Sequence, residues 1–207
     1  MKMRLTSVLV LAFAPAVCAP ASASIIYSNG PINGTYNAWS FAGMYGYAVA
    51  DSFVSAGPAT VSGFDAGIWV SPGDTPTTFT WTILTGGPSW ISGTPVASGS
   101  ATWSNTYLGP ANYGYDLYSS TASGLNVAIV AGTYWLELSN GVTTDALNLF
   151  WDENDGPSTA YQYTGTSTQI GSEAFTVYGS KVPVPPSALL LGSGLLGLGG
   201  WRRLRKS

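Results

Sequence analysis

The chain has no histidine and one cysteine, and its seven Lys and Arg residues avoid its middle altogether. Lys2 and Arg4 stand near one end, and Lys181, Arg202, Arg203, Arg205 and Lys206 near the other. From Ser24 to Ser180 there is no cation, while all ten carboxylates fall there, giving that interval a net charge of −10. The −3 of the whole chain conceals this. Such absences exclude much chemistry. Without His, Lys, Arg or Cys there is no Ser-His-Asp triad, cysteine nucleophile, Schiff-base lysine, His-ligated zinc or arginine clamp. Phosphoryl transfer loses its usual cationic stabilisers. Nucleic acid is excluded as a partner, because nothing offsets phosphate repulsion. A paired-carboxylate glycosidase or lyase survives the exclusions, since it needs only two acids at a set distance. Asp152, Glu153 and Asp155 are its candidates.

The two ends carry what the middle lacks. Lys2 and Arg4 precede an apolar run over residues 8–14, and Ala21-Ser22-Ala23 supplies small residues for a cut before Ser24. This pattern is that of a secretory signal peptide over residues 1–23, with the Sec machinery and signal peptidase as partners. Pro15 and Val17 do not suit a lipobox around Cys18. The mature chain is therefore expected to hold no cysteine, and an exported domain without disulfides depends on its core alone. At the other end, Val182, Pro183, Val184, Pro185 and Pro186 form a stiff, extended segment. An uncharged apolar stretch over 187–201 follows, and then the basic cluster Arg202, Arg203, Arg205 and Lys206. At 1.5 Å per residue, a helix over 186–204 spans about 28 Å, close to the ~30 Å hydrocarbon core. The cations fix the end in the cytoplasm as a membrane stop, which places the body on the opposite side.

Proline motif, Leu/Gly-rich span and terminal Arg cluster, in that order, resemble the PEP-CTERM sorting signal of Gram-negative bacteria. The resemblance covers residues 181–207. It implies processing by an exosortase, a membrane-embedded protease, and a passage from an inner-membrane-anchored precursor to the cell surface or the exopolysaccharide matrix. One position departs from the pattern: Val184 stands where the family has glutamate between the prolines. An uncut C-terminal anchor is the alternative.

The body, residues 24–180, reads as β. Phe79, Trp81 and Ile83 alternate with threonines, and Tyr134, Leu136 and Leu138 alternate with Trp135 and Glu137. Phe175 and Val177 repeat the pattern, and further strands are expected over 48–54, 60–70, 96–102, 113–118, 126–130 and 146–151. Gly, Pro, Asn and Asp punctuate the gaps, as in Ser71-Pro72-Gly73-Asp74 and Ser139-Asn140-Gly141. No stretch of ten residues carries a helical stripe. The expectation is one all-β domain of about nine strands, a two-sheet antiparallel β-sandwich of jelly-roll-like form, followed by a single C-terminal transmembrane helix.

Three stretches look familiar as a set: residues 27–34 (Tyr-Ser-Asn-Gly-Pro-Ile-Asn-Gly), 63–69 (Gly-Phe-Asp-Ala-Gly-Ile-Trp) and 150–158 (Phe-Trp-Asp-Glu-Asn-Asp-Gly-Pro-Ser). Together they resemble exported domains that accompany this sorting tail in other bacteria. That resemblance implies an extracellular β-sandwich and no particular activity.

Two groups of residues are candidates for function. Aromatic faces stack on sugars while nearby Asp and Asn take hydroxyls. Trp81 falls in register with the core. Trp135 lies opposite the apolar face of its strand, and Trp90 and Trp103 lie near turns, so Trp90, Trp103 and Trp135 are the expected glycan contacts. Against this stands the demand of the core, which has few Leu and Ile and must be filled by aromatics. The second group is the acidic segment after the 146–151 strand, where Asp152, Asn154 and Asp155 are candidate calcium ligands. The plain alternative is a solvated turn. Asp65 and Asp74 look like weaker turn carboxylates. The reading of the whole is an exported, non-catalytic surface or matrix protein with exopolysaccharide as its partner; the alternatives are a carboxylate-pair glycosidase or lyase, and a calcium-stabilised adhesion module.

Overall fold

A computed structural model describes residues 23–182. Ala23 and Val182 sit at its limits; Ala21, Pro183, Val184, Pro185, Pro186, Arg202, Arg203, Arg205, Lys206 and the apolar span lie outside the described residues. Among the described residues no helix is long and apolar enough to cross a membrane.

Fourteen strands make up the body: β1 (Ser24–Ser28), β2 (Ala38–Ser40), β3 (Ala48–Ser55), β4 (Ala59–Val70), β5 (Pro76–Thr85), β6 (Thr94–Thr102), β7 (Ser104–Pro110), β8 (Asp116–Ile129), β9 (Gly132–Thr143), β10 (Leu149–Asn154), β11 (Ala160–Tyr163), β12 (Ser167–Ile170), β13 (Ser172–Glu173) and β14 (Phe175–Lys181). They form two sheets whose strand ladders are antiparallel. One has six strands in the order β12-β11-β3-β9-β5-β6. The other has eight, with β4 at its centre between β8 on one side and β14 and β10 on the other; β7 lies outside β8, and β1 outside β14.

The two sheets face each other across one core. Val49 and Phe53 of β3, Phe79 and Ile83 of β5, and Leu136 and Leu138 of β9 come from the six-stranded sheet. Val61, Phe64, Ile68 and Val70 of β4, Val127 of β8, Trp151 of β10 and Phe175 of β14 come from the other. Period-two alternation explains the sorting, because successive side chains point to opposite faces. Contacts between the layers are largely aromatic: Phe64 meets Phe79 edge-on at 5.9 Å, and Tyr27 lies 6.2 Å from Phe53.

Strand boundaries differ from the sequence expectation in two informative places. Residues 113–118 and 126–130 belong in part to one long strand, β8, which stays paired with β4 across a bulge between Val61 and Gly63. Tyr113 itself sits in a short 3-10 turn with φ near 60°. The strand expected over 146–151 runs instead over Leu149–Asn154. The acidic segment therefore belongs to a strand, and each of its side chains takes a side.

Candidate functional site: a strap, a buried acid cluster and an open cleft

The three familiar stretches converge. Residues 29–37 form a strap across the outer face of the eight-stranded sheet, and Asp152 of β10 holds it down. The Asp152 carboxylate accepts the backbone N–H of Asn33 at 3.0 Å, the N–H of Gly34 at 3.2 Å, and the Trp69 indole N–H at 2.7 Å. Both Asp152 and Trp69 are buried. Gly67 lies beside them on β4, and a Cβ there would meet Asp152 Cβ at 2.7 Å and Ile32 Cγ2 at 2.8 Å. The glycine is what lets strap and strand approach. Asn154 repeats the device one pleat further on: its amide donates to the carbonyl of Asn29 at 2.7 Å, and its oxygen accepts the N–H of Gly156 at 2.8 Å. Burial raises the pKa of Asp152, opposed by the hydrogen bonds from Asn33, Trp69 and Gly34, with the charge of Glu153 adding to the rise.

This arrangement corrects the calcium expectation. Asp152 and Asn154 are buried and already committed to the strap. Asp155 is exposed and accepts the hydroxyl of Tyr36. Among the described residues no three Asp, Glu, Cys or His side chains converge on a point where a metal ion could sit. The physical reason is that the strap, Trp69 and Gly156 already occupy the oxygens of Asp152 and Asn154, which a free loop would have left open to a cation. Asp152 is likewise out of a sugar's reach, so of the three acids named for glycosidic chemistry only Asp155 stands in the open and Glu153 partly so.

A second set of acids lies between the sheets. Asp51 points inward from β3 and is fully buried. It accepts N–H bonds from Ser52 at 2.6 Å and Glu173 at 2.7 Å, and the Ser158 hydroxyl at 2.7 Å. The side-chain nitrogen of Asn29 lies within reach of the Asp51 carboxylate (3.1 Å), the Ser158 and Ser172 hydroxyls (2.6 Å each) and the Glu173 carbonyl (2.7 Å). Tyr27 donates to the Asn29 oxygen at 2.8 Å. Glu173 is the exception in this network. It is completely buried, stands directly opposite Glu153 in the β10–β13 ladder, and neither of its carboxylate oxygens has a hydrogen-bond partner among the described residues. Glu153 is itself held by the Trp39 indole at 2.6 Å. Two like charges directly opposed are destabilising, and a buried carboxylate without a partner is costly. Desolvation, and then the charges of Asp51, Glu153 and Asp152, hold the Glu173 pKa well above the usual carboxylate range. Burial likewise pushes Asp51 up to about 7, against the hydrogen bonds it accepts. Among the described residues the only cation, Lys181, is exposed at the opposite end of β14 from Glu173.

The aromatic candidates divide. Trp103 is buried: its ring stacks on Phe79 at 3.7 Å and 13°, and meets Phe64 edge-on at 5.8 Å. The expectation that it contacts glycan is therefore corrected. Trp103 occupies the short link between β6 and β7, where the chain passes from one sheet to the other, and such a crossing turns its side chain into the core. Trp90 and Trp135 are half-buried on the outer face of the six-stranded sheet. The residue 86–93 loop lies across that face, anchored where Ser89 donates its N–H and hydroxyl to Glu137, each at 2.9 Å. This sets Trp90 against Tyr163 at 5.6 Å, with its indole N–H on the Ser167 hydroxyl, while Trp135 lies 5.8 Å from Tyr161. Tyr161 and Tyr163 project from the same side of β11, so the four rings form one ridge.

One concavity was not foreseen from the sequence. A cleft of about 310 Å³ lies between the strap and the turn after β10, lined by Gly30, Pro31, Asn33, Tyr36, Asp155 and Pro157 among others. Its exposed Tyr36 ring beside Asp155 and Asn33 is an aromatic–polar pairing of the kind that takes sugars. The sequence signal was present in the first and third familiar stretches, but only the strap's docking brings them together. No protein-family model and no curated protein matches the chain.

Proposed function

We propose that the chain is an exported, non-catalytic surface or matrix protein that holds polysaccharide through half-exposed and exposed aromatic side chains. The observation that carries this reading is the partition of charge: every cation lies in an end segment or at Lys181, and the whole interval from Ser24 to Ser180 has none. A secretory signal over 1–23 and a PEP-CTERM-like tail over 181–207 account for the cations as topological markers. On this reading the Sec machinery, signal peptidase and an exosortase-type protease act on the chain in turn. The precursor is held in the inner membrane of a Gram-negative cell by one C-terminal helix, and the product reaches the surface or matrix. Two details support it: β1 begins at Ser24, the first residue after the expected cut, and the two facing sheets suit a jelly-roll-like sandwich able to stand without disulfides.

The polysaccharide partner is supported by the Trp90–Tyr163 and Trp135–Tyr161 ridge and by the Tyr36 cleft. An interval with ten carboxylates and no cation disfavours anionic polymers, so the ligand is neutral or carries amines. Retention of the full chain on a panel of immobilised exopolysaccharides tests this. Binding that survives high salt, shifts tryptophan emission and weakens at least tenfold in Trp90→Ala or Tyr36→Ala is expected. Absence of retention across neutral and amine-bearing polymers rejects the glycan part of the reading.

A further inference from the structure

Among the described residues, the outermost strands of the six-stranded sheet are β6 and β12, each paired on one side only. Exposed edges present unpaired N–H and C=O groups, and proteins blunt them with charge, proline, bulges or brevity. Here the blunting is sparse. β6 is nine residues long, with every side chain exposed or half-exposed; its one proline and the nearby bulge lie at its start, leaving 96–102 as Val-Ala-Ser-Gly-Ser-Ala-Thr. β12 is Ser-Thr-Gln-Ile. Neither strand holds a charged residue, although the domain carries ten carboxylates. The flank beyond β6 continues uncharged through β7, where Tyr107 and Leu108 stand exposed along with Val96 of β6.

We propose that copies of this chain join side by side, the free edge of β6 in one copy pairing antiparallel with the free edge of β12 in the next. Strand polarity fixes the fit. Six strands that alternate in direction leave the two outer ones running oppositely, so a head-to-tail neighbour continues the alternation without a break. Charge selects the place. Two bodies that carry carboxylates and almost no cation repel elsewhere, and the uncharged edges are where they approach at least cost. Such a contact is heterologous, using different surfaces on the two copies, and so builds open chains rather than closed dimers. A twist of about −20 to −25° per strand makes the chain of copies coil. The four residues of β12 limit each junction, so single junctions are weak and assembly rises with local concentration and with salt, which screens the repulsion.

The test is sedimentation velocity of the full chain, kept in solution with a mild detergent, alongside Ser100→Glu, which blocks β6, and Thr168→Glu, which blocks β12. Wild type is expected to form a ladder of oligomers that lengthens with concentration and salt. Each variant alone is expected to stay monomeric, while an equal mixture doubles in mass, because one open edge of each kind remains. Amide exchange in wild type at high concentration is expected to slow over 94–102 and 167–170. A wild type that stays monomeric at high salt, with unchanged exchange at both edges, overturns the proposal. Self-association of Thr168→Glu alone also overturns it, since that result means two β6 edges pair with each other.

Discussion

Two buried acids, Asp51 and Glu173, make stability between pH 5 and pH 8 depend on pH in the direction opposite to that of most domains. Asp51 has an ordinary pKa near 3.8 and sits at about 7 when folded; Glu173 is raised well above its ordinary 4.5. A carboxyl whose folded pKa is raised binds its proton more tightly in the native state. Its favourable contribution is complete below about pH 4 and is lost as pH climbs through the folded value. For Asp51 the interval from 3.8 to about 7 corresponds to about 4 kcal/mol at most, and Glu173 adds to it in the same direction. In a domain of this size each kcal/mol moves the melting temperature by roughly 2–4 °C. Melting is therefore expected to fall by about 10 °C between pH 5 and pH 8. The assay is thermal denaturation by circular dichroism across that range in wild type, Glu173→Gln and Asp51→Asn. The glutamine is neutral at every pH and mimics the protonated acid. It should leave pH 5 melting nearly unchanged and raise pH 8 melting by several degrees. A wild type that becomes more stable from pH 5 to 8, or a Glu173→Gln chain less stable than wild type at pH 8, refutes the reasoning.

Other perturbations separate clamp, core and surface. Asp152→Ala removes three hydrogen bonds from a buried carboxylate and leaves the Asn33, Gly34 and Trp69 N–H groups unpaired; a loss of about 3–5 kcal/mol in urea denaturation is expected. Gly67→Ala drives a methyl into Asp152 and Ile32 and should cost about 1–3 kcal/mol by the same measurement, with faster proteolysis of the 29–37 strap. Trp103→Ala should cost about 3–5 kcal/mol, whereas Trp90→Ala should cost under about 1 kcal/mol and act on polysaccharide retention instead.

The alternating strands were legible because each residue of Phe79-Thr80-Trp81-Thr82-Ile83 declares its face by type alone, and those three apolar residues are in the core. The short strands β2, β11, β12 and β13 were not legible, since sequences such as Ser-Thr-Gln-Ile carry no period and pair only because a neighbour is already in place. The site was half legible. The familiar stretches marked the right residues, but Asp152 read as a turn ligand because strand β10 extends beyond Trp151, and that extension is dictated by pairing with Ala38 and with Glu173 through β2 and β13. Asp51 carried a signal in its phase, since period two sets it on the same face as Val49 and Phe53, whereas Glu173 sits in a two-residue strand too short to show a period. Trp103 misled, a ring beside a turn that points inward because the chain is changing sheets.

Export with loss of both ends is tested most directly by intact mass spectrometry of the protein recovered from the culture medium of its host. The expected species begins at Ser24 and ends within or shortly after the Pro183–Pro186 segment. A cytosolic species with Met1 and Ser207 both retained contradicts it.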